Sequence, residues 1–233
     1  MLAAGLGLTV ALTVITGACS FGLAIPVTGA RISARRRFRW PASAFVEAFR
    51  NVPALIQIIF WAFAFPNLFP TDLRRDLFFD NAFMDGLQAI TGLSVPYYAL
   101  AAGLGLTLNT AAHLAEVLRS GVEAVPTPLV DGARTLGAGP RTVYRAVLLP
   151  SGIRTAFPAI STRLIHNMKN TSLASFVAVP ELFHEIQASI TRTFRATEFL
   201  LLAAVMYLVL AWLMSVVLDL VDSRLRAGLA ESR

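Results

Sequence analysis

Residues Ala124–Pro150, AVPTPLVDGARTLGAGPRTVYRAVLLP, form a polar interval between long apolar runs. Asp131, Arg134, Arg141 and Arg145 lie in it, and Gly137-Ala138-Gly139-Pro140 splits it into two short helical patterns. Pro126 and Pro128 end the helix that precedes it. Leu129–Leu136 is long enough for two helical turns, and Gly137 is a natural helix stop. Pro140 suits the first position of a second helix, which runs through Val143, Tyr144 and Val147 to Leu149 and is expected to end at Pro150. The pattern is a helix–turn–helix in water, set in a chain otherwise composed for lipid.

Working outward, 56% of the 233 residues are hydrophobic and only 15% charged, and mean hydropathy is +0.64. Soluble globular domains carry about 25% charge. A bilayer core needs ~20 apolar residues per helix, so the chain has room for several spans. The formal charge of +6 comes from arginines placed beside apolar runs, as topology determinants are, and not from a nucleic-acid surface. One cysteine, Cys19, permits neither an internal disulfide nor a cysteine metal site. No P-loop, Cys/His cluster or Ser/His/Asp grouping is present, so neither a catalytic nor a metal site is expected.

Apolar runs place five spans near residues 2–27, 51–69, 97–118, 154–180 and 199–219, in a single membrane domain over 1–233. The first is not read as a cleaved leader, because no basic residue precedes it and it continues past Cys19. Arg31, Arg35, Arg36, Arg37 and Arg39 follow it, and Arg224, Arg226 and Arg233 follow the last. The positive-inside bias then gives an outside N-terminus, an inside C-terminus, and a cytoplasmic position for 124–150. The acidic stretch 71–96 falls outside, with a surface helix expected over Leu73–Ile90. Ala101 and Gly105 form a small-xxx-small pair suited to close helix approach. Arg50 with Glu47, and Arg119 with Glu116 or Glu123, read as helix-end ion pairs.

The fourth span is the polar one. At ~100° per residue, Arg163, His166, Asn167 and Asn170 share a stripe. An ionised group at mid-membrane costs at least ~2.5–3.5 kcal/mol, so the stripe is expected to face a water-filled path or another subunit. A surface-lying amphipathic helix is the other reading. Lys169 reads equally as a gate or as an anchor snorkelling to the interface. A cationic stripe of Arg163, His166 and Lys169 would favour a substrate carboxylate.

The run DGARTLGAGPRTVYRAVLLP resembles the EAA loop of permease subunits of ATP-binding-cassette (ABC) importers. That signature is Glu-Ala-Ala, then Gly, then apolar-x-Leu-Pro; here stand Asp131-Gly132-Ala133, Gly137 and Val147-Leu148-Leu149-Pro150. Three further stretches are similar to the polar amino-acid uptake branch, in family order. They are Phe45-Val46-Glu47-Ala48-Phe49-Arg50-Asn51-Val52-Pro53, Ala115-Glu116-Val117-Leu118-Arg119-Ser120-Gly121 and Lys169-Asn170-Thr171-Ser172-Leu173-Ala174-Ser175. The resemblance implies an all-α integral membrane protein with the type I importer permease fold and cytoplasmic coupling helices, in the bacterial cytoplasmic (inner) membrane. It implies ATPase-coupling residues Asp131, Gly132, Ala133, Gly137, Leu149 and Pro150. The path or gate is expected at Arg163, His166, Asn167, Lys169, Asn170, Thr171 and Ser172. No cofactor is expected on this chain; ATP and Mg belong to a cytoplasmic ABC ATPase dimer. A second permease subunit, an extracytoplasmic solute-binding protein and an amino-acid substrate complete the implied set, in contact with lipid and without nucleic acid. A self-contained secondary transporter or channel using the stripe around Lys169 is the alternative, and a membrane scaffold a third. No internal repeat of the kind common in secondary transporters is visible.

Overall fold

The computed structural model describes residues 1–78 and 96–230. The described residues are helical, with no strand among them. The helices are α1 (Leu2–Arg31), α2 (Arg36–Asn51), α3 (Ala54–Ile59), α4 (Thr71–Phe78), α5 (Tyr97–Glu123), α6 (Thr127–Thr135), α7 (Pro140–Thr142), α8 (Leu149–Asn170), α9 (Leu182–Thr193) and α10 (Ala196–Ala230). A π-helical stretch Phe60–Ala64 continues α3, a second, Val143–Leu148, joins α7 to α8, and a 3-10 segment Thr171–Val177 follows α8. Most of the surface helix expected over Leu73–Ile90 lies outside the described residues; Thr71–Phe78 is helical.

Among the described residues, two helices are long and apolar enough to cross a bilayer by length and composition: Leu2–Arg31, mean hydropathy 2.0, and Ala196–Leu225, mean hydropathy 2.5. The chain divides into two compact units. One comprises Met1–Gly17, Val52–Asn109 and Asn167–Tyr207; the other comprises Ala18–Asn51, Thr110–His166 and Leu208–Arg233.

The first unit has its core in Leu12, Ile58, Ala62, Ala101, Ala102, Leu106, Ala174, Val177 and Val179. Small residues let α5 lie against α3: a Cβ on Gly105 would stand 3.0 Å from the Ile58 backbone nitrogen. Tyr97 donates its hydroxyl to the Trp61 carbonyl at 2.5 Å, and Gln57 donates to the Val52 carbonyl at 2.8 Å. Such bonds are what polar groups require where water is excluded.

The second unit packs Ala24, Val46, Leu114, Ala115, Leu118, Ala156 and Ile160 together. Its tightest approach is between two glycines. A Cβ on Gly121 would fall 2.4 Å from the Gly152 carbonyl oxygen, and one on Gly152 would fall 2.9 Å from the Val122 nitrogen. Only glycine at both positions lets α5 and α8 meet backbone to backbone. Thr28 ties α1 to α5 through the Ala115 carbonyl at 3.1 Å.

Candidate functional site: an exposed loop and a polar helix face

In the second unit, α6 ends at Thr135 and is capped by Leu136, and Gly137 follows with φ 83°, the left-handed stop expected of a glycine. Pro140 then opens a new helical run. Contrary to expectation, that run does not end at Pro150. Residues 140–170 are helical without a break, the π-helical stretch Val143–Leu148 passing directly into α8. Proline lacks an N–H and its ring crowds the preceding turn. A π turn widens the helix at that place, and Pro150 then occupies the first turn of α8.

Asp131, Gly132 and Gly137 are exposed, and Ala133, Leu149 and Pro150 are half-buried. Leu136 is 90% exposed, with Leu129 also presented to the outside. Arg134 faces Asp131 at 3.5 Å. The loop is anchored by Tyr144, whose hydroxyl donates to the Ile25 carbonyl at 2.6 Å. Burial pushes the Tyr144 phenol above its usual pKa of 10.0, in keeping with a hydroxyl that serves as a donor.

Behind the loop, Glu116 gathers arginines from three helices. It pairs with Arg31 of α1, with Arg119 of α5 at 2.6 Å and with Arg50 of α2 at 3.6 Å. Arg119 also pairs with Glu123. Arg119 thus does form helix-end pairs, whereas Arg50 turns to Glu116 and not to Glu47, which accepts from Asn51 at 3.0 Å. A carboxylate with three guanidinium neighbours outcompetes one within a single exposed helix.

Further along α8 in this unit, Arg163 is half-buried and His166 exposed. Both lie within electrostatic reach of His113 on α5, as does Arg50. In the first unit, Lys169 is exposed and Asn170 half-buried. Asn167 is turned inward instead and donates to the Thr16 hydroxyl at 2.9 Å. Thr171 is buried and donates to the Met168 carbonyl at 2.7 Å, while Ser172 donates to the Lys169 carbonyl at 2.8 Å. The predicted stripe therefore divides, with Asn167 joining α8 to α1, His166 exposed, and Arg163 and Asn170 half-buried.

Sequence reasoning missed Glu181, which has no exposed surface. Its carboxyl group accepts from the Tyr207 hydroxyl at 2.9 Å, the Thr9 hydroxyl at 3.2 Å and the His184 N–H at 2.8 Å. Thr9 in turn accepts from the Leu182 N–H at 3.0 Å. The available signal was an acidic residue directly after Pro180 and before an amphipathic run, an N-cap pattern. Among the described residues no group of three or more His, Cys, Asp or Glu could hold a metal.

A family model described as "Binding-protein-dependent transport system inner membrane component" matches residues 20–227. The chain belongs to this family. Among relatives of this inner membrane component is the octopine transport system permease protein OccM of Rhizobium meliloti, 30% identical over 95% of this chain and 84% of that one. The histidine/lysine/arginine/ornithine transport system permease protein HisM of Escherichia coli K12 is 27% identical over 90% of this chain and 82% of that one. In fold the chain is similar to a crystal structure of an amino acid ABC transporter, with a TM-score of 0.73, 23% identity, and 96% and 93% of the two chains covered. The type I ABC importer permease fold is thereby the fold of this chain.

Proposed function

We propose that this inner membrane component forms the translocation path of an ATP-driven ABC importer for amino acids, and that residues 124–150 couple it to a separate ATPase. The observation that carries the reading is the exposed helix–Gly137–helix loop, with Leu136 90% exposed at its turn, in a chain of this family. In this reading five spans cross the bacterial inner membrane with N-out and C-in topology. Two permease subunits pair, each loop docks on an ATPase dimer that holds ATP and Mg, and a solute-binding protein delivers the substrate outside. The relatives' names, which specify octopine and basic amino acids, support the substrate class.

Arg163, His166 and Lys169, with Asn170 and Ser172, serve the path in this reading. The approach of Arg163 and His166 to His113 supports a site for a substrate carboxylate, since a guanidinium brings a permanent positive charge and imidazoles bring N–H donors.

The decisive experiment replaces Gly137 with Val in the reconstituted transporter. Valine at a φ of 83° displaces the loop, because β-branched residues avoid that conformation. ATP-driven uptake is expected to fall at least tenfold; uptake at the unmodified rate overturns the coupling role. Uptake that persists with no ATPase present would instead support a secondary transporter.

A further inference from the structure

The start of α2 borders a feature that the transport reading does not use. An open cleft of about 510 Å³ is lined by Arg31, Arg39, Ser43, Arg119, Glu123 and Leu148, with Ile32 and Val122. All belong to the second unit. Two of its three arginines are engaged, but not exhausted. Arg31 gives Nη1 to Glu116, and a guanidinium carries five N–H donors in a planar fork. Arg119 gives Nε and Nη2 to Glu116 and Nη1 to Glu123. Arg31 and Arg119 of the lining are thus each held by a carboxylate, with Glu116 pairing also with Arg50 outside the cleft. Arg39 is the surplus cation, exposed and without an ion pair among the described residues. Ser43 stands one turn on, at i+4 on the same face.

The surroundings of Arg39 are apolar in a particular way. Phe38 and Trp40 flank it and are 47% and 68% exposed, and the Arg37 guanidinium lies 4.9 Å over the Phe38 ring. Arg36 and Arg37 add charge in the first turn of α2, which contains no acidic residue. A free inorganic anion would use the arginines and the hydroxyl but has no use for the exposed rings. An amphiphile uses both. Tryptophan beside arginine is the composition of a membrane–water interface, and basic clefts between membrane helices on the cytoplasmic side suit phosphodiester headgroups.

We propose that this cleft binds the phosphate of an anionic phospholipid, with Arg39, the free donors of Arg31 and the Ser43 hydroxyl on the headgroup, and Trp40 and Phe38 beside the glycerol and acyl chains. The site fastens the start of α2 to the bilayer surface. It depends on the chain's place in a membrane and not on what the chain transports.

The test uses the full chain, purified in mild detergent with the subunits it assembles with and exchanged into phosphatidylcholine nanodiscs. Phosphatidylglycerol is titrated in and retained lipid is counted by native mass spectrometry. Wild type is expected to retain phosphatidylglycerol over phosphatidylcholine. Arg39→Gln is expected to weaken that retention about five- to tenfold, the effect of one basic group at a bilayer surface with a charge-assisted hydrogen bond. Trp40→Ala, on an exposed side chain that cannot unfold the bundle, weakens retention of lipid while leaving any displacement by inorganic phosphate unchanged. Equal retention of phosphatidylcholine overturns the proposal, as does equal retention by Arg39→Gln. Full displacement of the lipid by millimolar inorganic phosphate also overturns it, reducing the cleft to a general anion site.

Discussion

Glu181 accepts three hydrogen bonds from three separate helices while wholly buried. Its removal leaves a hydroxyl on Thr9 and one on Tyr207 with their acceptor gone. Glu181→Ala is therefore expected to destabilise the protein by about 2–4 kcal/mol, whereas Tyr207→Phe, which removes one donor and leaves Glu181 the Thr9 hydroxyl and the His184 N–H, costs about 1 kcal/mol. Thermal unfolding of the detergent-solubilised variants checks the order; equal melting temperatures would remove Glu181 from this role. Asn167 shows the same logic on α8. The Thr16 hydroxyl receives its amide at 2.9 Å and passes its own proton to the Leu12 carbonyl at 2.6 Å. Neither partnership was legible beforehand, because helical periodicity gives the face on which a polar residue stands but not the donor that waits opposite.

At the scale of elements, glycine positions act as distance settings. Gly121 and Gly152 bring α5 and α8 to backbone contact, while a Cβ on Gly7 meets nothing within 4 Å. Gly121→Ala is expected to cost about 1–3 kcal/mol through overpacking, and Gly7→Ala, with open space and better helix propensity, to be neutral or slightly stabilising. Parallel unfolding curves decide it, and indistinguishable variants would contradict the packing account. The helix break at Gly137 and the restart at Pro140 were readable, because both depend on local backbone chemistry. Pro150 was misread for the complementary reason. A proline ends a regular α-helix, but the neighbouring π turn is a tertiary choice that no local rule announces.

At the scale of the whole molecule, hydropathy selects two of the described helices as candidate spans, fewer than the five expected from the sequence. α5 and α8 bury Asn109, Thr110 and Asn167, so their polar residues lower the hydropathy of helices whose polar groups are satisfied inside. The last helix is the converse: Leu201, Leu208, Trp212 and Leu220 are each at least 60% exposed, and its apolar window is only 6% buried. In the reading proposed above, that face is turned to lipid. With Trp40 and Trp61 replaced by Phe, the fluorescence of Trp212 is expected to be quenched strongly by lipids brominated along the acyl chain; unquenched emission would place a protein surface there. The family motifs located the chain's kind, and the polar stripe located its busiest helix. The ion-pair hub at Glu116 was half visible, through Arg119 but not through Arg31 or Arg50, since neighbours 85 positions apart leave no mark on local spacing.

The π turn at Val143–Leu148 has a mechanical consequence. A helix with one widened turn is stiff along its axis and soft in bending at that single place. In the coupling reading, a push on the loop at Pro140 would pass along one hydrogen-bonded rod into the part of α8 that belongs to the second unit, where Pro158 is a further weak point, and the compliance nearest the loop lies at residues 143–148. The rod can tilt about that spot while still transmitting a thrust, much as a push-rod does on a short flexure.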